Sequence, residues 1–197
     1  MTINRYDASD LARGAYYAYE QAGLLLRDAR SLYTQRRYSS AAVLAIFGSE
    51  ELGRARIYLE RRRTTLPSGS VSKRELELAC RNHELKLAQG QVLIQFDPGR
   101  EMPTDELLKL ADKLKNRIPR QRHKLRVRSL YVDPSDSPSG WNRPRDLTRL
   151  ECKYLVNEVV NDYAAFPEYY FWPDVELQSV LENWQKRPSP LPPKWIK

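Results

Sequence analysis

An uninterrupted apolar run at residues 41–47 constrains the fold of this chain more than any other feature. The run reads Ala-Ala-Val-Leu-Ala-Ile-Phe and lies in a stretch without proline. A helix that is apolar on every side is one that other helices surround. The run then narrows to a single stripe at helical spacing, formed by Leu44, Gly48, Leu52, Ala55 and Leu59. We therefore predict a central helix over residues 40–63, with Ser39 as its N-cap.

Other segments of the chain also carry apolar residues at three- and four-residue steps, the spacing of one helical face. Two of these segments begin with a capping box, Ser72-Lys-Arg-Glu75 and Thr148-Arg-Leu-Glu151. With the central helix, the predicted helices cover residues 7–35, 40–63, 72–96, 104–117, 148–166 and 174–185. The sequence therefore predicts an all-α protein, an antiparallel helical bundle of about five to six helices.

One segment departs from the helical pattern. Pro119 is expected to stop the fourth helix, since proline disfavours helical conformation in the residue before it. The sequence then reads Leu125-Arg-Val-Arg, with apolar and basic residues in alternation. Alternation is the period of an extended strand, so we predict a short extended segment near residues 125–132, laid across the bundle.

The end of the chain differs in composition from the rest. An aromatic stretch, residues 169–172, lies between two prolines, and the last ten residues are rich in proline. We therefore assign residues 1–166 to the bundle. Residues 167–197 are expected to form a C-terminal extension that packs on the bundle or trails from it.

Composition excludes several classes of protein. Apolar residues make up 41% of the chain, enough for a globular core, but no apolar run is long enough to span a membrane. The N-terminus lacks the apolar region of a secretory signal, so a cytoplasmic location is expected. Cys80 and Cys152 lie at apolar helix positions and are expected to be buried thiols. With only two histidines, neither a metal site nor another cofactor is expected.

The net charge of +8 is concentrated in part of the chain. Between Lys109 and Arg128 there are nine lysines and arginines and one acid, Asp112. Such a segment is expected to contact the phosphates of a nucleic acid. The residues predicted to bind nucleic acid are Arg117, Arg120, Arg122, Lys124 and Arg126, together with Arg54 of the central helix.

His83 and Glu51 form the first candidate catalytic pair. His83 is three residues after Cys80 and four before Leu87, so it faces inward with them. An inward histidine needs a partner for its ring nitrogens, and Glu51 borders an apolar stripe of the central helix. The two side chains are expected to pair, either as a general acid–base pair or as a buried structural pair that sets the bundle register.

His123 is the third candidate catalytic residue, and it lies among the arginines and lysines of the basic segment. RNA cleavage requires a base for the 2′-hydroxyl, an acid for the leaving oxygen and cations for the phosphate. His123 and its neighbours supply groups of these kinds. The alternative is a basic surface loop that binds phosphate without chemistry or only solvates the fold.

Three elements, in order along the chain, carry a resemblance to a known family. They are Arg37-Tyr-Ser-Ser-Ala41 followed by Glu50-Glu-Leu-Gly-Arg-Ala55; then Arg81-Asn-His-Glu-Leu-Lys-Leu87; then Ser129-Leu-Tyr-Val-Asp133 followed by Trp141-Asn-Arg-Pro144. The set resembles the AbiV family of bacterial abortive infection proteins, which block phage multiplication. The resemblance covers about residues 8–166.

The resemblance also implies a fold and an activity. The AbiV family is similar in layout to the HEPN helical bundles, many of which are ribonucleases with an R-x(4–6)-H motif, often at a dimer interface. A homodimer is therefore expected. Arg117 and His123 have the motif's spacing, but Pro119 lies between them and departs from a regular helical motif.

Two functions follow from these observations. The first is an anti-phage effector that acts on RNA or the translation machinery through its basic face, as a metal-independent ribonuclease or by binding alone. The second is a non-enzymatic module that senses or blocks a phage or host protein. The aromatic residues 169–172 would suit the interface of the second, or would cap the bundle.

Overall fold

In a computed structural model, the chain is described over residues 5–65, 69–91, 109, 116–134, 140–144, 147–171 and 177–178. Within these residues the fold is a helical bundle, which confirms the all-α prediction. The helices are α1 (Ala8–Thr34), α2 (Tyr38–Thr65), α3 (Lys73–Arg81), α4 (His83–Gln89), α5 (Ile118–Leu130) and α6 (Arg149–Phe166). Four two-residue strands pair antiparallel: β1 (Arg5–Tyr6) with β2 (Val71–Ser72), and β3 (Asp133–Pro134) with β4 (Trp141–Asn142).

Helix α2 is the centre of the bundle, as its apolar run predicts. It contacts α1, α4, α5 and α6, and Ala41, Ala42, Ala45 and Ile46 are each fully buried. Small residues on α1 allow close approach of the neighbouring helices. A Cβ on Gly23 would lie 2.5 Å from the Tyr163 hydroxyl oxygen of α6. The long helices therefore pack through small residues facing large ones.

Aromatic rings pack the C-terminal end of α6 against the middle of α1. Tyr19 stacks on Tyr163 with 4.4 Å between ring centroids, and Tyr19 and Phe171 pack edge to face with 5.3 Å between centroids. Phe171 ends a π-helical turn, Pro167–Phe171, that continues α6. Because Phe171 is 1% exposed, this part of the aromatic stretch packs into the core of the bundle. Trp172 lies outside the described residues.

The predicted capping boxes are confirmed, and the predicted N-cap of α2 is wrong. The side chains of Ser72 and Thr148 each accept a hydrogen bond from the backbone N–H three residues on. The carboxylates of Glu75 and Glu151 in turn accept hydrogen bonds from the backbone N–H groups of Ser72 and Thr148. Helix α2 begins at Tyr38, one residue before Ser39. The Ser39 hydroxyl instead donates to the Pro144 carbonyl oxygen, so it ties α2 to a distant loop.

The predicted third helix, residues 72–96, is broken at Asn82. This residue has extended backbone angles, φ −77° and ψ 111°, and its side chain accepts a hydrogen bond from the Leu85 N–H. Asparagine favours this N-cap role because its short side chain satisfies a free backbone donor. The break makes His83 the first residue of a new helix, α4. The predicted end of the third helix and most of the predicted helix over 104–117 lie outside the described residues.

The predicted extended segment at residues 125–132 is wrong over most of its length, since α5 continues to Leu130. Pro119 does not stop a helix here but occupies the first turn of one, where its missing N–H is not needed. The inward face of α5 carries Arg122 and Ser129, both buried. A buried polar face hides the apolar spacing of a helix, so only the alternation is visible in the sequence.

None of the helices in the described part of the chain is long and apolar enough to cross a membrane. Cys152 is fully buried, as expected, whereas Cys80 is half-buried and lies at a cleft.

Candidate functional site

A buried carboxylate lies where α2, α4 and α5 meet. Glu50 of α2 is 4% exposed. Removing a carboxylate from water costs several kcal/mol unless opposite charges and hydrogen bonds compensate. The structure supplies three cationic or protonatable partners, His83 and Lys86 of α4 and Arg126 of α5. Glu50, His83, Lys86 and Arg126 are called the Glu50 cluster below.

The geometry around Glu50 is asymmetric. Its Oε2 atom lies 2.8 Å from Nδ1 of His83 and 3.1 Å from Nζ of Lys86. Its Oε1 atom lies 3.7 Å from a terminal nitrogen of Arg126, too far for a hydrogen bond. Oε1 is buried and accepts no hydrogen bond from the described residues. One carboxylate oxygen is therefore fully engaged, and the other is held only by charge.

His83 is the exposed member of the Glu50 cluster. Its side chain is 42% exposed, whereas those of Glu50 and Lys86 are each 5% exposed. When Nδ1 carries the proton that is donated to the carboxylate, Nε2 is the basic nitrogen of the neutral ring. A carboxylate behind a histidine fixes this tautomer and the ring orientation. The arrangement can act chemically as a general base at the protein surface.

The Asn82 break in the backbone and a close helix crossing place His83 against Glu50. A Cβ on Gly53 would overlap the Lys86 carbonyl oxygen, and one on Gly90 would overlap the Ser49 carbonyl oxygen. Only glycine permits two helix backbones to lie this close. Gly53 is one turn after Glu50, so the crossing brings that face of α2 against α4.

A second buried network joins α2, α5 and α6. Arg122 is 4% exposed and donates to Ser49 Oγ at 2.7 Å and to Asp162 Oδ2 at 3.0 Å. The guanidinium nitrogen that donates to Asp162 also lies 3.7 Å from a carboxylate oxygen of Glu158. Ser49 precedes Glu50, so the two networks meet on α2. Arg122 is a structural cation that fixes the position of α5, and it is not available to phosphate.

His123 lies on α5 at the border between its buried and exposed sides. It is half-buried, and its Nδ1 atom is buried without a hydrogen-bond partner among the described residues. At about 100° per residue, His123 is about 60° from Arg126 on one side and about 60° from Arg120 on the other. It therefore lies between the Glu50 cluster and the exposed side of α5.

The predicted nucleic-acid-binding residues divide into three groups. Arg117, Arg120 and Lys124 are exposed and share one side of the α5 segment, which we call the basic stripe. Arg122 and Arg126 point the other way, toward acidic partners. Arg54 pairs with Glu51 at 3.2 Å on α2. The structure thus brings three of the six residues together on an exposed face.

The HEPN_AbiV family model, described as AbiV, matches residues 10–163. The chain belongs to the AbiV family. The match runs from α1 to near the end of α6 and contains the Glu50 cluster, the Arg122 network and both histidines. No curated protein and no solved structure matches the chain. Membership makes this an abortive infection protein with a HEPN-like helical fold.

In this AbiV-family chain the predicted pairing of Glu51 with His83 is wrong, because Glu50 is the partner. Glu51 turns about 100° away and pairs with Arg54. Burial raises the pKa of the Glu51 carboxyl, against the lowering effect of Arg54 and Lys86. Since the part of α2 just before these glutamates is apolar on nearly every side, its periodicity does not show which glutamate meets α4. Gly53 was the available signal of a close approach.

Two of the three AbiV-like sequence elements meet at the Glu50 cluster. Glu50 comes from the Glu-Glu-Leu-Gly element of α2, and His83 and Lys86 come from the part of the second element that forms the start of α4. His83 and Lys86 are three residues apart, so both reach the same carboxylate. Sequence reasoning missed Lys86, Ser49 and Asp162 because nothing in their local pattern distinguishes a buried charge from an exposed one.

The spacing from Arg117 to His123 now has a structural context. The segment is helical, with Pro119 buried in its first turn. Arg117 is exposed, and His123 lies about 120° around the helix axis from it. The two side chains therefore lie on different sides of α5 in one copy of the chain.

Proposed function

We propose that this AbiV-family protein is an anti-phage effector that acts on RNA as a metal-independent ribonuclease, with His83 as the general base. The observation that carries the proposal is the 2.8 Å contact between His83 Nδ1 and the buried Glu50 carboxylate. A histidine with one nitrogen on a carboxylate and an exposed ring is prepared to exchange a proton at the other nitrogen.

The chemistry requires a base, an acid and charge compensation. His83 Nε2 takes the proton of an RNA 2′-hydroxyl, whose oxygen attacks the adjacent phosphorus. The bond to the 5′-oxygen breaks, and that oxygen receives a proton from a general acid. The products are a 2′,3′-cyclic phosphate and a free 5′-hydroxyl. His123, about 60° around the α5 axis from Arg126, is our candidate for the acid.

The basic stripe supports RNA as the target. Arg117, Arg120 and Lys124 are exposed on one side of α5, and no ion pair involves them within the described residues. Unpaired cations on one helix face contact successive phosphates with little reorganisation. His123 is the next residue inward from this stripe. A strand bound along the stripe would thus pass His123, one of the two candidate catalytic residues.

The test is an RNA cleavage assay with chelator present. Labelled tRNA, ribosomal RNA and mRNA are each incubated with wild type, His83→Ala and His123→Ala. Comparing the three RNAs shows whether the RNA of the translation machinery is cleaved in preference to mRNA. Glu51→Gln is the matched control, because it changes a neighbouring carboxylate that does not contact His83. We expect cleavage by wild type and by Glu51→Gln, a cyclic phosphate at the new end, and loss of cleavage in His83→Ala. Intact RNA with folded wild type would exclude an autonomous ribonuclease.

A second candidate function, binding a protein partner, is supported by exposed apolar side chains. Val132, Leu150 and Tyr154 are 60%, 59% and 66% exposed, on the α5–β3 junction and the outer side of α6. Large exposed apolar groups favour protein interfaces. The partner would be a second copy of the chain or a phage or host protein in the cytoplasm. Light scattering of wild type and of the double variant Leu150→Ser/Tyr154→Ser tests the homodimer. A monomeric mass for wild type as well as for the variant would exclude it.

A further inference from the structure

A cleft lies between the N-terminal strand β1 and helices α1, α2 and α3. Its volume is about 670 Å³, within the size range of small-molecule sites. None of the four residues of the Glu50 cluster lines it. The cleft is therefore separate from the Glu50 cluster, although both lie beside the junction of α3 and α4.

The cleft has an apolar part with two tyrosine rings. Leu11 and Leu76 are buried beneath it at 1% and 8% exposure, and Tyr6 and Tyr58 line it. A Cβ on Gly14 would lie 3.1 Å from the Tyr58 ring, so the glycine lets that ring lie close against α1. Aromatic and leucine side chains around such a space suit a flat ring.

The charged part of the cleft has arginine groups without partners. The acids that line it are already engaged: Asp10 accepts a hydrogen bond from the Asp7 N–H, and Glu77 pairs with Lys73 at 3.8 Å. Arg81 is exposed and makes no ion pair or hydrogen bond within the described residues.

Arg54, the second arginine of the cleft, is partly satisfied. Its terminal nitrogen pairs with Glu51, whereas its Nε atom is buried with no hydrogen-bond partner among the described residues. The Arg54 side chain is 35% exposed, so its terminal nitrogens, and not the buried Nε, can reach a ligand in the cleft. Arg54 and Arg81 together leave guanidinium donors for a phosphate, which accepts from arginine with favourable geometry.

We propose that this cleft binds a nucleotide, with the base against Tyr6 and Tyr58 and the phosphate on Arg81 and Arg54. The chemistry recognised is a planar ring joined to a phosphate. It is supplied either by a free mononucleotide or by the 5′-phosphorylated end of an RNA. The inference goes beyond the proposed ribonuclease and holds whether or not the Glu50 cluster cleaves RNA. Only Asn82 separates Arg81 from His83, so an occupied cleft lies next to the candidate base.

Cys80 provides a readout inside the cleft. It lines the cleft, and Cys152 is fully buried, so a thiol reagent should label Cys80 alone in the folded protein. Burial raises the pKa of the Cys80 thiol, so labelling is measured at alkaline pH. Full-length protein is treated with iodoacetamide alone. The treatment is repeated in the presence of AMP, GMP, CMP, adenosine, inorganic phosphate or a 5′-phosphorylated RNA oligonucleotide. Peptide mass spectrometry assigns the label, and Cys80→Ser should remain unlabelled.

We expect a mononucleotide to slow Cys80 labelling and adenosine and phosphate to have much weaker effects. Arg81→Ala should weaken nucleotide binding, measured by calorimetry, about tenfold or more, as for loss of a charge-assisted hydrogen bond. Arg74→Ala, an exposed arginine on the same helix but outside the cleft, should not. Protection by the oligonucleotide alone would identify the RNA end as the ligand. The proposal would be overturned if neither a mononucleotide nor the oligonucleotide protected Cys80, or if adenosine protected it as well as AMP does. It would also be overturned if Arg81→Ala bound the nucleotide as tightly as wild type.

Discussion

His83 Nδ1 and Glu50 Oε2 lie 2.8 Å apart, joining a side chain that is 42% exposed to one that is 5% exposed. Lys86 compensates the charge of the carboxylate, and the imidazole is the most exposed of the three side chains that contact it among the described residues. A charged group inside the protein is thus connected to solvent through one proton-carrying ring. This relationship underlies both the stability of the bundle and the function that we propose for it.

Replacing Glu50 should destabilise the protein far more than replacing Glu51. Glu50→Gln leaves the buried Lys86 without its counter-charge, and we expect a loss of about 3–5 kcal/mol in the free energy of unfolding. Glu51→Gln should change it by less than about 1 kcal/mol, since Glu51 is in a partly exposed pair. Urea unfolding measures both.

A double variant distinguishes charge from packing in the Glu50 cluster. Glu50→Gln combined with Lys86→Met removes both buried charges and should recover much of the lost stability. If the double variant were no more stable than Glu50→Gln alone, compensation by Lys86 would be the wrong explanation.

The Arg122–Asp162 pair should show strong energetic coupling. Both residues are buried, and Arg122 also holds Ser49. In a double-mutant cycle with Arg122→Ala and Asp162→Ala, we expect a coupling energy above about 1 kcal/mol. Lys124→Ala, on the exposed side of α5, should alter stability by no more than about 0.5 kcal/mol. Additive effects of the two substitutions would contradict the pair seen here.

Gly53→Ala should be destabilising although alanine is the better helix former. Its Cβ would overlap the Lys86 carbonyl oxygen, a backbone atom, so α2 and α4 must separate. We expect a cost of about 1–3 kcal/mol and, because His83 moves away from Glu50, reduced RNA cleavage. Gly14→Ala is the control: its Cβ meets only a side chain, at 3.1 Å. The melting temperature of Gly14→Ala should stay close to that of wild type. A large fall in the melting temperature of both variants would mean that α1 and α2 tolerate no added methyl group at their glycines, whatever the neighbouring atom.

RNA affinity should depend on the basic stripe and on salt. Changing Arg117, Arg120 and Lys124 to alanine removes three phosphate contacts, so the slope of log affinity against log salt should become shallower by about 2. The control removes the same charge from exposed positions elsewhere, Arg27, Arg37 and Arg74. Fluorescence anisotropy over a salt series measures both. If the two triple variants lost RNA affinity and salt dependence equally, net charge, and not this face of α5, would be what attracts RNA.

Stability should fall in acid partly through Glu151. Burial raises the pKa of its carboxyl, but hydrogen bonds from the Thr148 backbone and hydroxyl and from Arg128 outweigh that effect and lower it overall. A lowered folded pKa gives stability that is present above the unfolded pKa and lost as pH falls through the folded one. Glu151→Gln should therefore flatten the acid side of the stability curve, measured by urea unfolding at successive pH values. An unchanged pH dependence would contradict the capping role.

Much of the fold could be predicted from local sequence, and the site could be predicted only in part. The apolar spacing of α1, α2 and α6 and the capping boxes at Ser72 and Thr148 are properties of short segments, and the structure confirms them. The break at Asn82 and the helical state of α5 were missed. In α5 the buried positions are arginine and serine, so tertiary contacts, and not apolar periodicity, decide which side faces the core.

The sequence by itself determined that this chain is a helical bundle of the AbiV family in which a histidine of the third helical segment pairs with a glutamate of the central helix. Only the tertiary structure decided that Glu50 and not Glu51 receives that histidine, that Lys86 shares the carboxylate, and that Arg122 is buried while Lys124 is exposed. The physical reason is the rotation of each helix about its axis. Spacing fixes which residues share a face, but the close contact of Gly53 with Lys86 fixes which face meets which neighbour.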